Sequence, residues 1–593
     1  MNQENLQKNL SDKRHTLSHV LASVILEKYP TVKLTLGPAI DNGFYYDIDF
    51  GNESKLNGDE DLKEITKEMK KKINLGGTFS HKETGKDAAI EFFTDNEYKI
   101  ELINEIAEKG EKITLYTIHF TNGETFVDLC RGGHIENLKD IDAESFKITH
   151  TAGAYWRGSE KNKMLTRVYG LAFDTKEELE KYEKQMEEAK KRDHRILGEK
   201  LDLFCFDENI GKGLPIWLPK GNIIKEELEK WAKETEEKMG YQRITTPIIT
   251  KDNLFYTSGH LPLYKESMYA PIEIEGENYY IKPMNCPFHH RTFAARLRSY
   301  KELPLRLAEY GWCHRYEDSG SLFGMMRVRG MQMNDAHIYI QKENAVEEFI
   351  NVIRLHEYYY KILGINKYEM ELSLRDPNKM DKYHGNEEDW VDAENMTKEA
   401  MEKSGVPYKI VNEGAAFYGP KMDFQVYSSI GRSFSASTNQ LDLYMGKAFN
   451  LEYVDKDGTR KTPAIIHRAP LGTHERFIGF LIEHFSGAFP IWLSPVQVVL
   501  ISVKDSSDDY MRDLNQKLKE KSIRTEIFEG KEGMGKSVRY AKDMKYPYWI
   551  VIGDKEVAEG KVTLESRSGE KSSLSIDELI EKLKKEVEEK KID

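Results

Sequence analysis

The chain has 593 residues, of which 39% are hydrophobic and 11% aromatic, so we predict about three to five domains with their own cores. Its formal net charge of −13 gives no general attraction to nucleic acid, although phosphate binding depends on local clusters. The four cysteines form no disulfide framework, no apolar run reaches the ~18 residues of a membrane span, and the first residues lack the apolar core of a signal peptide. We therefore expect a cytoplasmic protein without a membrane segment.

The first predicted element is a helix over residues 12–28, which carries His15 and His19 one turn apart. Further along, DLCRGGH places Cys130 and His134 at the same spacing, with Asp128 just before them. Three imidazoles and a thiolate in one domain are a common zinc-binding set. From the residues alone zinc is the leading interpretation, while a metal-free hydrolytic pocket and a structural role remain open.

A highly charged helix is predicted over residues 175–198. Thr175 and Glu178 have the spacing of a capping box, and Glu–Lys pairs at helical spacing then stabilise an exposed helix. We interpret it as a linker helix between two domains, with a solvated spacer and an RNA-contacting surface as equal alternatives. A second helix is predicted over residues 222–239, followed by a strand that ends at Pro247.

A long hairpin is predicted over residues 306–340, with strands at 307–316 and 325–340 and a polar loop between them. Arg315 and Arg327 are expected to face each other across it, with Glu317 on the same strand face as Arg315. Paired guanidinium groups suit a phosphate ester, because each offers a planar fork of donors. A surface hairpin with solvated charges is the alternative.

Three further stretches point to the same part of the molecule. Residues 413–424 and 435–443 alternate like central strands, and residues 471–485 begin with a glycine turn and continue as an apolar helix. Arg476 lies near the N-terminus of that helix, where anions are favoured. Cys286 and His289 in IKPMNCPFHH have local metal-ligand spacing, although a structural cysteine is commoner.

The last predicted domain is a small α/β unit with a parallel sheet. Its strands are predicted at residues 496–503, 524–528 and 548–554, with a helix at 508–521.

The hairpin sequence CHRYE…GSLFGMMRVRG resembles motif 2 of the class II aminoacyl-tRNA synthetases, and NDAHIY is similar to their threonyl-specific members. Residues 222–247 resemble motif 1 and LGTHERF resembles motif 3. DNGFYYD, EYK, VDLCRGGH and TAGAYWRG resemble the editing domain of bacterial members, and the last domain resembles the class IIa anticodon-binding domain. The resemblance, from about residue 10 onward, implies an α+β editing domain (1–174), the linker helix (175–198), a catalytic domain with an antiparallel sheet (199–492) and an α/β anticodon-binding domain (493–593).

The activity that this resemblance implies is threonine–tRNA ligation. L-threonine and ATP would form threonyl-adenylate, the threonyl group would pass to the 3′ end of tRNA(Thr), and mischarged Ser-tRNA(Thr) would be hydrolysed in the N-terminal domain. The resemblance also implies a homodimer, one Zn²⁺ per subunit in the catalytic domain, and Mg²⁺ with ATP.

The resemblance assigns a role to particular residues of this chain. The implied zinc ligands, which leave the fourth position open to substrate, are Cys286, His337 and His467. The implied catalytic residues are Arg315, Arg327, Glu317, Arg476, Lys421 and Gln440. The implied substrate-binding residues are Asp335, Tyr418, Met333 and Thr473. The editing residues, expected to position water without needing a metal, are His15, His19, Tyr46, Lys99, Asp128, Cys130 and His134. The implied anticodon contacts are Glu556 and Arg567.

The sequence departs from the family pattern in three places. Family members usually begin with a small ubiquitin-like domain, and because only about a dozen residues precede His15 we expect that module to be missing. Met333 in MQMNDAH stands where FTQDDAH with a polar residue is more usual. Glu565 stands where relatives often have an anticodon-reading arginine, and we expect Arg567 to substitute.

In this interpretation the zinc site excludes valine, and the editing site is needed because zinc does not exclude serine. A pocket that reads shape alone separates threonine from valine only about 10²-fold, whereas a zinc ion can bind the amino and hydroxyl groups together. Serine satisfies the same zinc, so a second, hydrolytic site is expected. The competing interpretations are a metal-dependent hydrolase, an RNA-binding regulator without catalysis, and a class II synthetase of another specificity, such as a prolyl or seryl enzyme.

Overall fold

A computed structural model describes residues 3–51, 56, 58–159, 161–376, 378–427 and 433–592. The chain divides into two compact units, an N-terminal unit of Met1–Glu187 and a C-terminal unit of Glu188–Asp593. Across the described residues, no helix is both long and apolar enough to cross a bilayer. The finer domain boundaries at residues 174, 198 and 492 stay predictions.

The N-terminal unit contains two antiparallel sheets. Its elements in chain order are α1 (Gln3–Lys28), β1 (Lys33–Leu34), β2 (Ala39–Ile40), β3 (Gly43–Asp49), α2 (Asp59–Leu75), β4 (Gly77–Thr84), α3 (Lys86–Phe92), α4 (Glu97–Glu108), β5 (Ile113–Phe120), β6 (Thr125–Leu129), β7 (Phe146–Tyr155), β8 (Met164–Ala172) and α5 (Lys176–Arg192), which contains the boundary. One sheet has the order β1-β3-β8-β7 with β2 beside β3, and the other has the order β4-β5-β6.

Helix α1 positions the N-terminal histidines. It begins at Gln3 rather than at residue 12, and it packs against β3 with Leu17, Leu21 and Val24 buried, as the periodicity predicted. His19 is also buried, and its ring lies against Phe126 and beside Asp128 of β6.

The predicted linker helix is in fact two helices. Helix α5 ends at Arg192, and a second helix, α6 (His194–Lys200), begins after Asp193. The break follows from a local cap, since the Asp193 carboxylate accepts the backbone N–H of Arg195 at 2.8 Å. At the start of α5, Thr175 Oγ1 accepts the N–H of Glu178 at 3.3 Å as predicted, but the Glu178 carboxylate reaches Asp174 instead of Thr175.

The larger part of the C-terminal unit surrounds one eight-stranded sheet. After α6 its elements are β9 (Phe204–Cys205), β10 (Ile216–Trp217), α7 (Pro219–Lys238), β11 (Tyr241–Arg243), β12 (Ile249–Lys251), α8 (Asn253–Thr257), α9 (His260–Leu263), β13 (Ile272–Ile274), β14 (Glu277–Ile281), α10 (Cys286–Phe293), β15 (Arg298–Ser299), β16 (Leu305–His314), β17 (Gly330–Ile340), α11 (Ala345–Ile362), β18 (Tyr368–Ser373), α12 (Glu387–Ser404), β19 (Tyr408–Val411), β20 (Lys421–Tyr427), β21 (Ser433–Asp442), α13 (Met445–Ala448), β22 (Tyr453–Val454), β23 (Arg460–Lys461), β24 (Ala464–Ala469) and α14 (His474–His484).

The order of this sheet is β11-β16-β17-β24-β21-β20-β18-β19. It is antiparallel except at its two edges, where β11 runs parallel to β16 and β19 runs parallel to β18. Helices α11 and α14 pack against its central strands. The sheet therefore has the predicted antiparallel character.

The predicted hairpin forms, but its second strand is shorter than expected. Strands β16 and β17 pair from Leu305 opposite Tyr339 to His314 opposite Gly330. Residues 325–329 belong to the connection, because Gly324 takes a left-handed φ of 47° and Phe323 turns back towards Arg327. Two predictions were therefore wrong. The N–H of Arg315 donates to the carbonyl of Arg329, which stands in the place expected for Arg327. Glu317 lies in the predicted loop, but because β16 already ends at His314 it shares no strand face with Arg315.

The C-terminal unit ends in a separate five-stranded sheet. Its elements are β25 (Val498–Ser502), α15 (Asp508–Glu520), β26 (Thr525–Phe528), α16 (Met534–Asp543), β27 (Tyr548–Ile552), α17 (Asp554–Glu559), β28 (Lys561–Ser566), β29 (Lys571–Ser575) and α18 (Ile576–Glu588). The order is β26-β25-β27-β28-β29, parallel over the first three strands as predicted and antiparallel over the last two.

Candidate active sites

A cavity of about 370 Å³ opens over the centre of the eight-stranded sheet. It brings together every residue that was predicted to be catalytic or substrate-binding, and these are Arg315, Glu317, Arg327, Met333, Asp335, Tyr418, Lys421, Gln440, Thr473 and Arg476. Of the predicted metal ligands, Cys286 and His467 line the same cavity, and His337 lies fully buried behind its wall.

One end of this cavity carries three arginines. Arg315 Nε donates to the carbonyl of Pro283 at 3.2 Å, Arg476 Nε donates to that of Met326 at 3.0 Å, and Arg327 forms an ion pair with Glu317 at 2.9 Å. Burial and the nearby charges of Arg315 and Arg327 lower the pKa of Arg476. Like charges held this close favour a polyanionic ligand that would neutralise them.

The start of helix α14 fixes the position of Arg476. Thr473 is the N-cap residue, and its hydroxyl accepts the backbone N–H of Arg476 at 3.2 Å. The Thr473 side chain is thus engaged by the helix, so its share in substrate binding stays a prediction. The neighbouring strand position, Met333, bridges to Thr473 through the backbone.

The other end of the cavity is polar and aromatic. The Asp335 carboxylate accepts the Asn285 amide at 3.0 Å, and burial raises the pKa of Asp335. The Tyr418 hydroxyl donates to Gln440 Oε1 at 2.5 Å, and the Tyr418 ring stacks on that of His467 with centroids 4.7 Å apart. These groups can read the hydrogen-bonding groups of a small polar ligand.

A candidate metal centre adjoins this end. Cys286, His337 and His467 each offer one ligand atom, and these atoms lie within 4.8 Å of one another. Two ring nitrogens, His337 Nε2 and His467 Nδ1, are buried and find no hydrogen-bond partner among the described residues. Buried polar atoms without partners are costly, so the donor set fits a zinc ion, which takes imidazole and thiolate ligands. Burial raises the pKa of the Cys286 thiol well above its usual value in the metal-free protein.

Two other groupings offer alternatives to this centre. His290, Asp442 and His467 also lie within 4.8 Å, but His467 Nε2 is engaged there by a hydrogen bond to Asp442 at 2.8 Å. His194 approaches Glu483 at 2.8 Å and Met325 N–H at 3.1 Å, which satisfies both ring nitrogens. The local Cys286–His289 spacing is not used, because among the described residues His289 joins no such group with Cys286.

The N-terminal unit has a cavity of its own, of about 710 Å³. Five of the predicted editing residues line it, namely His15, His19, Lys99, Asp128 and Cys130. The other two lie behind its wall. Tyr46 is fully buried and donates to Asp128 at 2.5 Å, and His134 stacks on Phe79 with centroids 4.3 Å apart.

The histidines and the cysteine form one cluster at the bottom of this cavity. Cys130 Sγ lies 3.6 Å from His15 Nε2 and 3.2 Å from His134 Nε2, and the rings of His15 and His134 stack at 4.4 Å. Burial lowers the pKa of His15 and His19, and lowers that of His134 to about 2. Burial also raises the pKa of Cys130 to about 11. Burial therefore favours the uncharged forms of these four side chains.

A buried ion pair adjoins the cluster. The Lys99 ammonium pairs with Asp128, which also accepts the Tyr46 hydroxyl and lies 3.7 Å from His19 Nδ1. Lys99 is 2% exposed, and a buried ammonium persists only with such partners. The four ligand atoms of His15, His19, Cys130 and His134 lie within 4.8 Å, so this geometry also fits a metal ion.

Comparison with known proteins covers both units. Residues 269–485 match the tRNA synthetase class II core domain (G, H, P, S and T), and residues 497–586 match the anticodon binding domain. Residues 113–169 match the threonyl and alanyl tRNA synthetase second additional domain.

Full-length relatives are also similar. A threonine–tRNA ligase of Clostridium tetani is 46% identical over 97% of this chain and 88% of its own length. The chain belongs to the threonyl-tRNA synthetase family. A threonine–tRNA ligase of Thermus thermophilus is 45% identical over 93% of this chain and 85% of its own length. The solved RNA binding domain of threonyl-tRNA synthetase from Cryptosporidium parvum shares 35% identity with a TM-score of 0.64, over 66% of this chain and 98% of that one.

The two predicted anticodon contacts are both engaged in hydrogen bonds within the C-terminal unit. The Glu556 carboxylate accepts the N–H of Gly553 at 3.1 Å and so caps helix α17. The half-buried Arg567 guanidinium donates to the carbonyls of Phe489 at 2.9 Å and Lys545 at 3.2 Å. A base contact by Arg567 stays a prediction. Glu565 pairs with Lys571 at 3.1 Å.

Sequence reasoning missed the residues that hold the metal-ligand candidates in place. His289 contacts His337, Asp442 contacts His467, and Glu309 holds His289 from behind, and none was predicted for this role. The only local signal was His289 in CPFHH, whose spacing to Cys286 pointed to a ligand rather than to a ligand's partner.

Proposed function

We propose that this chain is a threonine–tRNA ligase that also hydrolyses Ser-tRNA(Thr) in its N-terminal unit. One observation carries the proposal: a single cavity holds three arginines at one end and a zinc-binding donor set at the other. Such a cavity can bind a nucleoside triphosphate and a small hydroxylated amino acid side by side. The four free cysteines favour a reducing cytoplasm.

The activation step uses the arginine end. The threonine carboxylate attacks the α-phosphate of ATP, which enters with Mg²⁺, and the bond between the α- and β-phosphates breaks to give threonyl-adenylate and pyrophosphate. Arg315 would stabilise the charge that develops on the α-phosphate, and Arg476 and Arg327 would hold the β- and γ-phosphates. Glu317 would exchange its present ion pair with Arg327 for an amine or hydroxyl of the ligand. Lys421, now paired with Asp423 at 2.7 Å, and Gln440 would complete the wall beside the nucleotide.

The candidate metal centre would determine which amino acid the cavity selects. Cys286, His337 and His467 would hold zinc, which when bound is a Lewis acid for an amino group and a hydroxyl together. Asp335 would accept the hydrogen of the threonine hydroxyl, and Tyr418 would contact the amino acid from the other side. Valine lacks the hydroxyl and would leave Asp335 Oδ1 without a hydrogen bond from the ligand, which is a much stronger rejection than shape alone gives.

The N-terminal cavity would hydrolyse the Ser-tRNA(Thr) that forms when serine is accepted in place of threonine. Serine differs from threonine by one methyl group, worth only ~1–3 kcal/mol. His15 and His19 line the cavity, and their ring nitrogens can orient a water molecule and accept its proton, with His134 stacked on His15. Lys99 can stabilise the oxyanion or the leaving ribose hydroxyl, with Asp128 and Tyr46 holding it in place.

Amino-acid-dependent ATP–pyrophosphate exchange tests the ligase proposal. We expect strong exchange with threonine, weaker exchange with serine and none with valine, all lost with a zinc chelator and restored by zinc. Exchange with another amino acid would contradict the specificity. Absence of exchange in folded, zinc-loaded protein would contradict the ligase proposal and favour a hydrolase or an RNA-binding regulator.

Metal analysis of the same protein separates the two candidate metal sites. We expect one zinc per chain, lost in Cys286→Ser and kept in the control Cys205→Ser, whose cysteine lies outside both clusters. A second zinc that survives Cys286→Ser would show that the cluster of His15 and Cys130 binds metal, contrary to the metal-free hydrolysis proposed here.

We also propose a homodimer with α7 and β11 at its interface. Residues 222–247 resemble motif 1, β11 is an edge strand of the large sheet, and Ile248 and Ile249 just beyond it are 47% and 44% exposed. Light scattering at micromolar concentration is expected to give twice the chain mass of 68.8 kDa. Ile248→Asp should shift the mass towards the monomer, whereas Ile410→Asp, at the opposite edge of the sheet, should not. A monomeric wild type would contradict the proposal.

A further inference from the structure

A chain of buried hydrogen bonds runs behind the candidate zinc ligand His337. His337 Nδ1 lies 2.9 Å from His289 Nδ1, and His289 Nε2 lies 3.2 Å from Glu309 Oε2. His289 and His337 are fully buried and Glu309 is 5% exposed. Three residues from α10, β16 and β17 thus form one relay that ends at the metal-ligand candidates.

The carboxylate end of the relay sets the direction of every hydrogen bond in it. Glu309 Oε1 accepts the backbone N–H of Thr246 at 2.7 Å, and Oε2 accepts the Thr246 hydroxyl at 2.8 Å. The Lys282 ammonium lies 3.7 Å away, which favours the ionised carboxylate. An ionised carboxylate only accepts hydrogen bonds, so the hydrogen between Glu309 and His289 belongs to His289 Nε2.

The position of the hydrogen on His289 determines the position of the hydrogen on the metal-ligand candidate His337. In the tautomer with its hydrogen on Nε2, His289 presents a lone pair at Nδ1, which can only accept from His337 Nδ1–H. His337 must then keep a lone pair at Nε2, and this is the buried nitrogen without a partner among the described residues. The relay therefore points an imidazole lone pair into the donor set before any metal binds.

The third ligand candidate is fixed in a similar way by a single carboxylate. Asp442 accepts the N–H groups of Tyr444 at 2.7 Å and Met445 at 2.8 Å on Oδ1, and its Oδ2 lies 2.8 Å from His467 Nε2. His467 Nε2 is then the donor, and the lone pair is left on Nδ1. Hydrogen bonds to the outer nitrogen of a ligand histidine commonly orient the ring and set its tautomer.

We propose that His289 and Glu309 are positioning residues of the metal centre, holding His337 in the tautomer that presents Nε2 to zinc. The inference rests on the proposed zinc site at Cys286, His337 and His467. In this proposal His289 does not bind the metal, although its spacing to Cys286 is that of a ligand. Instead it forms a hydrogen bond to the ligand His337. The competing explanation is that His289 only fills space in the core.

Two substitutions of His289 distinguish these explanations. His289→Leu fills a similar volume but offers no hydrogen-bond acceptor, whereas His289→Asn can place its amide oxygen where Nδ1 now accepts from His337. We expect His289→Leu to weaken zinc binding about 10–100-fold and His289→Asn to recover most of that loss. A space-filling role predicts the reverse order, because a buried amide is the poorer apolar substitute.

Zinc affinity is measured on the full chain by competition with a chromophoric chelator, with Co²⁺ absorption as a second readout of the coordination geometry. His356→Leu is the matched control, since His356 is equally buried and contacts Ser437 at 3.0 Å, outside the relay. Its zinc affinity should equal that of the wild type. Equal affinities of wild type and His289→Leu would overturn the relay.

A second variant covers the case in which His289→Leu does not fold. In Glu309→Gln the amide oxygen must stay with the Thr246 N–H, so the amide nitrogen faces His289 Nε2. This would reverse both imidazoles and put the hydrogen of His337 on Nε2, so we expect a comparable loss of zinc affinity. Unchanged affinity in Glu309→Gln would also overturn the relay. A wild type that binds no zinc would instead refute the proposed metal centre itself.

Discussion

Replacing Arg315 by alanine is expected to lower threonine-dependent ATP–pyrophosphate exchange by about 10²–10³-fold, the usual effect of removing one donor that stabilises transition-state charge. Arg315 lies in the cavity beside Arg476 and Arg327, and its Nε is already held by the carbonyl of Pro283. The remaining guanidinium nitrogens are thereby directed without any need for the ligand to order them. Arg315→Lys should recover only part of the rate, because an ammonium keeps the charge but loses the planar fork.

Arg315→Ala should lower the rate of exchange without lowering the thermal stability of the protein. Arg354→Ala removes an exposed arginine of α11 outside the cavity and is expected to leave exchange within about twofold of wild type, in line with the small effects of ordinary surface substitutions. Thermal unfolding of both variants monitors stability. Exchange by Arg315→Ala within tenfold of wild type would mean that another group stabilises the α-phosphate.

The double substitution His15→Ala plus His134→Ala is expected to slow hydrolysis of Ser-tRNA(Thr) by about 10²–10⁴-fold, the range for loss of general-base catalysis. His15 lines the N-terminal cavity and His134 supports it from behind through the stacked rings. Threonylation of tRNA should be unchanged, since the three arginines lie in the other compact unit. The readouts are deacylation of preformed Ser-tRNA(Thr) and accumulation of Ser-tRNA(Thr) in a charging reaction with serine.

The matched control removes two histidines of the same unit that lie outside the cavity. His81 and His119 are exposed on strands β4 and β5 of the N-terminal unit. The double variant His81→Ala plus His119→Ala should therefore clear Ser-tRNA(Thr) at the wild-type rate. If the cavity double variant also clears it, the editing assignment fails. If both double variants fail, the damage is to the fold of the unit.

Local patterns in the sequence were sufficient for most of the elements and for the arginine candidates of the site, whereas the other site residues came from the family resemblance. Helix α14 and the position of Arg476 in its first turn follow from a glycine turn and apolar periodicity alone. The parallel part of the last sheet follows from alternating strand and helix patterns. The ligand set of Cys286, His337 and His467, by contrast, joins residues from three separate elements, and it came only from resemblance to a family.

Register and hydrogen-bond partners could not be predicted in the same way. Arg327 was expected opposite Arg315, but the turn at Gly324 shortens β17 and leaves Arg329 there. The break at Asp193 depends on which backbone group its carboxylate caps. The link from His289 to Glu309 depends on how α10 packs beside the hairpin, which no sequence spacing encodes. The hydrogen bonds of the Arg567 guanidinium to the carbonyls of Phe489 and Lys545 likewise had no signal in the sequence.

The division of the chain into two compact units, each with its own cavity, bears on how this gene can vary. Substitutions around the N-terminal histidines would raise the frequency of serine at threonine codons without reducing the supply of charged tRNA. Such lesions would therefore be nearly silent in cells with ample threonine and costly when serine is in excess. Selection for accuracy and selection for the speed of protein synthesis would then act on different segments of one polypeptide.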